Sequence, residues 1–162
     1  MQSKDGYGKL AQHLEETLKV HLFDQNFAIE SIIKTLVQMR LVHSKVRALF
    51  TFIGPPNCGK RYLAELLVTA DPHIEQLKAF QMDQYNDTFN AEQLSASSIE
   101  NDVTEFVAKN PNAILLFEDI DKADTQVQLS LYTLFSDSEK SSVDFSHVIV
   151  IMTTTRLSSL LG

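Results

Sequence analysis

Gly54-Pro55-Pro56-Asn57-Cys58-Gly59-Lys60-Arg61 follows a short apolar run, Ala48 to Ile53, and opens a stretch of helical character from Lys60 to about Thr69. The segment fits the pattern G-x-x-x-x-G-K-[ST] at every fixed position but the last. A loop of this kind turns successive backbone N–H groups toward an anion, and the helix that follows adds the positive end of its dipole. Lys60 is placed to reach the β- and γ-phosphates of a nucleotide, with Pro56, Asn57, Cys58, Gly59 and Arg61 around them. The plainer reading is a glycine-proline turn between a strand and a helix. The strand–loop–helix setting is what the phosphate-binding reading requires.

The rest of the chain sets this loop in an alternation of strands and helices. Leu10, Leu14, Leu18 and Leu22 recur every four residues and form one face of a first helix. Asn26 caps a second, whose apolar stripe is Ile29, Ile32, Ile33, Leu36, Val37 and Leu41. After the loop helix come a short strand at Ala79 to Met82, a helix at Ile99 to Lys109 and a strongly apolar strand at Ala113 to Phe117. A helix from Asp124 to Phe135 and a last buried strand from Val148 to Met152 complete the pattern. Strands separated by helices imply βαβ units, hence an α/β fold with a mainly parallel sheet covered on both faces. Ligands of such sheets lie at the carboxyl ends of the strands. That rule points to Gly54, Glu118 and Thr153 independently of any motif.

Size and charge narrow the classes. The 162 residues fit one domain, and at 44% hydrophobic and 22% charged the chain is too apolar for a disordered protein. One cysteine, Cys58, excludes an internal disulfide and a multi-cysteine zinc site. His13, His21, His43, His73 and His147 show no metal-ligand spacing. The formal net charge is −7 and no basic stripe is present, which argues against nucleic acid as a partner. No apolar run reaches the length of a membrane span, and none follows the amino terminus as in a secretory signal, so a cytoplasmic location is expected.

A second motif lies where the first predicts it. Ile114-Leu115-Leu116-Phe117-Glu118-Asp119 is an apolar strand ending in two carboxylates, the Walker B pattern. One carboxylate of such a pair organises Mg²⁺ and the other activates water. The usual order is Asp then Glu, and here it is Glu118 then Asp119, which lengthens the metal arm and shortens the water arm by one methylene. Arg61 stands where a Ser or Thr hydroxyl would ligate Mg²⁺, and a guanidinium has no lone pair to offer. At about 5 Å and an effective dielectric near 20, Arg⁺ and Mg²⁺ repel by roughly 6 kcal/mol. Either Arg61 points away, or it replaces the metal as a phosphate clamp.

From about Val20 onward the chain resembles the second ATPase module of Clp-type AAA+ disaggregases and unfoldases. Leu22-Phe23-Asp24-Gln25-Asn26-Phe27-Ala28-Ile29 resembles V-I-G-Q-x-x-A-V, and Met82-Asp83-Gln84-Tyr85 resembles D-M-S-E-Y. Phe117-Glu118-Asp119-Ile120-Asp121-Lys122-Ala123-Asp124 resembles L-D-E-I-E-K-A-H. Val143-Asp144-Phe145 with Val148 to Thr155 resembles V-D-F-x-N-T-V-I-I-M-T-S-N. The resemblance implies a P-loop NTPase fold, a three-layer α/β/α sandwich forming the AAA+ large subdomain, with residues 1–24 as a helical lead-in. It implies ATP or ADP as ligand, with Leu22 and Phe23 bordering the adenine. Glu118 becomes the metal ligand, and Glu118, Asp119 and Thr155 the catalytic positions, Thr155 replacing the family's sensor asparagine.

The departures are as specific as the matches. The stretch from Tyr85 to Ile99 is shorter than in Clp proteins and lacks their G-Y-V-G pore loop, and Ser136 to Ser142 is shortened as well. A fifth strand, an arginine finger and a helical lid have no counterpart, so the chain is expected to be part of a longer protein. Three functions fit. The first is an AAA+ module that binds ATP or ADP with weak or absent hydrolysis and works in regulation or assembly, through protein partners or self-association. The others are an active Mg²⁺-dependent ATPase and an interaction module that needs no nucleotide.

Overall fold

The computed structural model describes residues 4–21, 45–56, 59–85, 96–136 and 142–155. The proposed second helix, Leu22, Phe23, Asn57 and Cys58 lie outside the described residues.

Helix α1, Lys4–His21, precedes strand β1, Ala48–Ile53, and helix α2, Lys60–Ala70. Strand β2, Gln76–Gln81, leads into a 3₁₀ turn at Met82–Tyr85. Helix α3, Ala96–Lys109, strand β3, Ala113–Glu118, and a second 3₁₀ turn at Ile120–Lys122 follow. Helix α4, Thr125–Ser136, and strand β4, Ile149–Thr154, complete the described elements. The strands pair in the order β1-β4-β3-β2, each pair parallel.

Side-chain alternation makes the three layers. Ile114 and Leu116 of β3 face the same way as Ile149 and Ile151 of β4, into a core with Leu14 and Leu18 of α1 and Leu67 of α2. Leu115 and Phe117, with Val150 and Met152, face the other way, against Val103 of α3 and Leu131 of α4. A period of two on a strand covered on both faces demands apolar residues on both, as Ala113 to Phe117 of β3 and Ile149 to Met152 of β4 show. Phe80 stacks on Phe117 with centroids 5.1 Å apart, and Phe117, Phe135 and Phe145 continue the row at 5.8 and 5.7 Å.

The elements run slightly past their expected limits. The β2 strand lies at Gln76–Gln81, earlier than Ala79 to Met82, because Met82–Tyr85 turns into 3₁₀ helix. Helix α3 begins at Ala96, three residues before Ile99. For α4 the cap is Asp124, whose Oδ1 accepts the Gln126 N–H at 2.7 Å.

At the amino ends of the strands, Arg47 and Asp71 tie β1 to the end of α2. Arg47 Nη2 donates to Asp71 Oδ2 at 2.6 Å, and both side chains are buried. Burial raises the Asp71 carboxyl, but the charge and hydrogen bond of Arg47, with the N–H and ring of His73, outweigh it. The net pKa lies below the usual carboxylate value.

Candidate functional site

The opposite, carboxyl ends of the strands carry the chemistry. Strand β1 stops at Ile53, and Gly54 extends its ladder by one bond, N–H to Thr154 O at 3.2 Å. The chain then turns, and Gly59 starts α2 at φ 93°, a left-handed conformation that L side chains rarely adopt. The Gly59 carbonyl accepts the Leu63 N–H at 2.9 Å, closing the first helical turn. Glycine at this position is therefore a backbone requirement of the strand-to-helix reversal.

Lys60 folds back over this turn. Its Nζ donates to Gly54 O at 2.6 Å and to Pro55 O at 2.8 Å, so the ammonium sits at the mouth of the loop. Parallel registry places the remaining groups. Gln81 pairs with Glu118 across β2 and β3, and Phe117 pairs with Met152 across β3 and β4, which brings Thr153 beside them. A cleft of about 500 Å³ opens between these strand ends and α2. Pro56, Gly59, Lys60, Arg61, Glu118 and Asp119 line it, together with Gln81 and Thr153.

Arg61 crosses that cleft. Its Nη1 donates to Glu118 Oε2 at 3.1 Å, and its Nε donates to Glu65 Oε1 at 3.2 Å. Gln81 Nε2 donates to the same Glu118 oxygen. The Arg61 side chain is 52% exposed and that of Glu118 15%. Screening at that exposure holds the Arg61–Glu118 pair to about 1 kcal/mol or less. The first turn of α2 is thus tethered to the end of β3 by a contact weak enough to be exchanged for a stronger anion.

Asp119 takes a different stance. At φ 58° it is the described non-glycine residue with positive φ, a conformation Asp tolerates better than most and one that recurs at functional sites. Its N–H donates to Thr153 Oγ1 at 3.1 Å, and its Oδ2 accepts from Lys122 Nζ at 3.3 Å. Thr154 Oγ1 donates to Asp121 Oδ1 at 2.9 Å, fixing the turn from the β4 side.

Of the residues the sequence singles out, Pro56, Gly59, Lys60, Arg61, Glu118 and Asp119 come together here. Thr155 follows β4 and is not among the residues lining the cleft, whereas Thr153 is. Gln81, Tyr62 and Glu65 also line the cleft without a motif to announce them. The rule of strand carboxyl ends reaches Gln81 only once β2 is seen to stop there, since the strand expected at Ala79 to Met82 points past it.

The site suits a polyphosphate better than it suits the Mg²⁺ that usually accompanies one. A loop with a positive-φ glycine, a helix start and a lysine offers N–H donors and charge. Magnesium wants several oxygen ligands in near-octahedral array. Arg61 supplies none, and it and Gln81 already donate to Glu118 Oε2. The residues present do not fit the metal.

A parallel sheet whose first strand runs through a glycine-turned loop into a helix, with lysine at the loop and carboxylates at the end of the strand next but one, defines a P-loop α/β domain. The family model for the AAA domain (Cdc48 subfamily) matches residues 45–160. This chain belongs to that AAA family, and within it to the Clp type. It is 28% identical over 160 residues to the ATP-dependent Clp protease ATP-binding subunit ClpL of Lactococcus lactis subsp. lactis, covering 88% of this chain and 21% of that protein. It is 29% identical over 168 residues to the chaperone protein ClpB of Lactiplantibacillus plantarum, covering 92% and 19%. A probable ATP-dependent Clp protease ATP-binding subunit of Chlamydia pneumoniae is 29% identical over 157 residues, covering 87% and 19%. The chain spans about a fifth of the length of the curated relatives it matches. No described helix is long and apolar enough to cross a membrane.

Proposed function

We propose that this domain binds ATP or ADP in the cleft at Lys60, hydrolyses it weakly or not at all, and serves regulation or assembly through protein contacts. The observation that carries this reading is the bridge from Arg61 Nη1 to Glu118 Oε2 at 3.1 Å, across the place where the catalytic metal would be held. Nucleotide binding is supported by the loop geometry at Gly59 and Lys60 and by the relatives named as ATP-binding subunits. Weak turnover is supported by Arg61, by the order Glu118-Asp119 and by Thr155 in place of asparagine. Apolar surface supports a protein partner or a second copy as the target. Leu49 and Ile53 on β1 and Leu129 and Tyr132 on α4 are all exposed.

The test pairs calorimetric titration of ATP and ADP with a phosphate-release assay on the full chain, wild type and Lys60→Ala. Nucleotide binding lost in Lys60→Ala, with phosphate release at the background level, is expected. Mg²⁺-dependent release abolished by Lys60→Ala would instead establish an ordinary ATPase. That second reading draws on Asp119, whose carboxyl borders the cleft from a strained backbone.

A further inference from the structure

We infer that the Arg61 guanidinium takes the place of the divalent cation, so that the cleft accepts a nucleoside di- or triphosphate free of metal. This rests on the nucleotide-binding reading of the same cleft.

Three observations carry it. First, Arg61 occupies the first turn of α2 directly after Lys60, the position from which a hydroxyl would reach a metal. Second, its guanidinium is on Glu118, at 3.1 Å, so the cationic group and the carboxylate that would hold a cation are already paired. Third, Gln81 from β2 donates to the same Glu118 oxygen, which stays hydrogen-bonded when Arg61 leaves. A metal on that oxygen would displace both donors, and on either oxygen of Glu118 it would sit beside a guanidinium.

The exchange that follows is electrostatic. A polyphosphate entering over Lys60 competes with Glu118 and Glu65 for Arg61. Its oxygens accept two parallel N–H bonds from the guanidinium fork, a geometry a phosphate satisfies at least as well as a carboxylate. Both Arg61 ion pairs involve a side chain half open to solvent, so little holds it back. Mg²⁺ bound to the same phosphates brings two positive charges against Arg61 and weakens the complex. The domain therefore takes the metal-free nucleotide from an equilibrium with the chelate.

The test measures ATP affinity of the full chain in chelator and in excess Mg²⁺, for wild type and Arg61→Thr. Wild type should bind ATP in chelator at least as tightly as with Mg²⁺. Arg61→Thr should lose about tenfold or more in chelator and become Mg²⁺-dependent. A second readout uses the wild type alone. Adding it to Mn²⁺·ATP should raise the electron paramagnetic resonance signal of free Mn²⁺, because the protein takes the nucleotide and releases the ion. Tenfold tighter wild-type binding with Mg²⁺, or a fall in the free Mn²⁺ signal, would overturn the inference and leave nucleotide binding intact. Wild type binding no ATP under either condition would remove the nucleotide reading itself, and the inference with it.

Discussion

Arg47 and Asp71 form a charge pair excluded from water, so removing one partner exposes the full cost of burying the other. Asp71→Asn should destabilise the fold by about 3 kcal/mol at neutral pH. The pH dependence has a fixed sign. The Asp71 pKa is lower in the folded state than its ordinary value of 3.8, so the unfolded chain takes up the proton first. The stability it adds is complete above the ordinary value and is lost as pH falls through that value toward the folded pKa. Urea denaturation of wild type and Asp71→Asn at pH 7, 5 and about 3 checks this. The gap between them should narrow only at the acid end. Gly59 makes a complementary case. A Cβ there would meet no atom within 4 Å, so Gly59→Ala tests backbone conformation alone. At φ 93° the cost should be about 1–2 kcal/mol, visible as a lower denaturation midpoint. The opposite change, Asp119→Gly, relieves a positive φ but frees the unfolded chain, so it should change stability by less than about 1 kcal/mol, read from the same denaturation midpoint.

Among the elements, β3 is buried at five of its six residues and carries Phe117 in the middle of an aromatic row. Phe117→Ala should cost about 3–5 kcal/mol. In a domain of this size that lowers the melting temperature by roughly 10 °C, measurable by thermal circular dichroism. The same continuous apolar run made β3 readable in the sequence, since only a strand covered on both faces needs every residue apolar. The loop and α2 were equally legible, because glycine and lysine at fixed spacing have few other uses. The edges of elements were less so. A 3₁₀ turn at Met82–Tyr85 depends on Tyr85 O accepting from Asp124 N–H, a contact from a distant part of the chain. Gln81 was unreadable for a related reason. Glutamine at the end of an unremarkable strand gains its role from the β2–β3 register, which sets it against Glu118.

For the molecule as a whole, the two cores on either side of the sheet position a cleft at the strand carboxyl ends, lined by Lys60, Arg61, Glu118 and Asp119. The chain is a Clp-type AAA+ domain whose phosphate loop retains Gly59 and Lys60 while Arg61 closes on Glu118. Hydrogen–deuterium exchange of the full chain, with and without ATP, tests directly where the nucleotide goes. Slowed exchange is expected at the amides of Gly54, of residues 57–61 and of residues 118–119, and should vanish in Lys60→Ala. Slowed exchange confined to other segments, or protection that survives Lys60→Ala unchanged, would contradict the account.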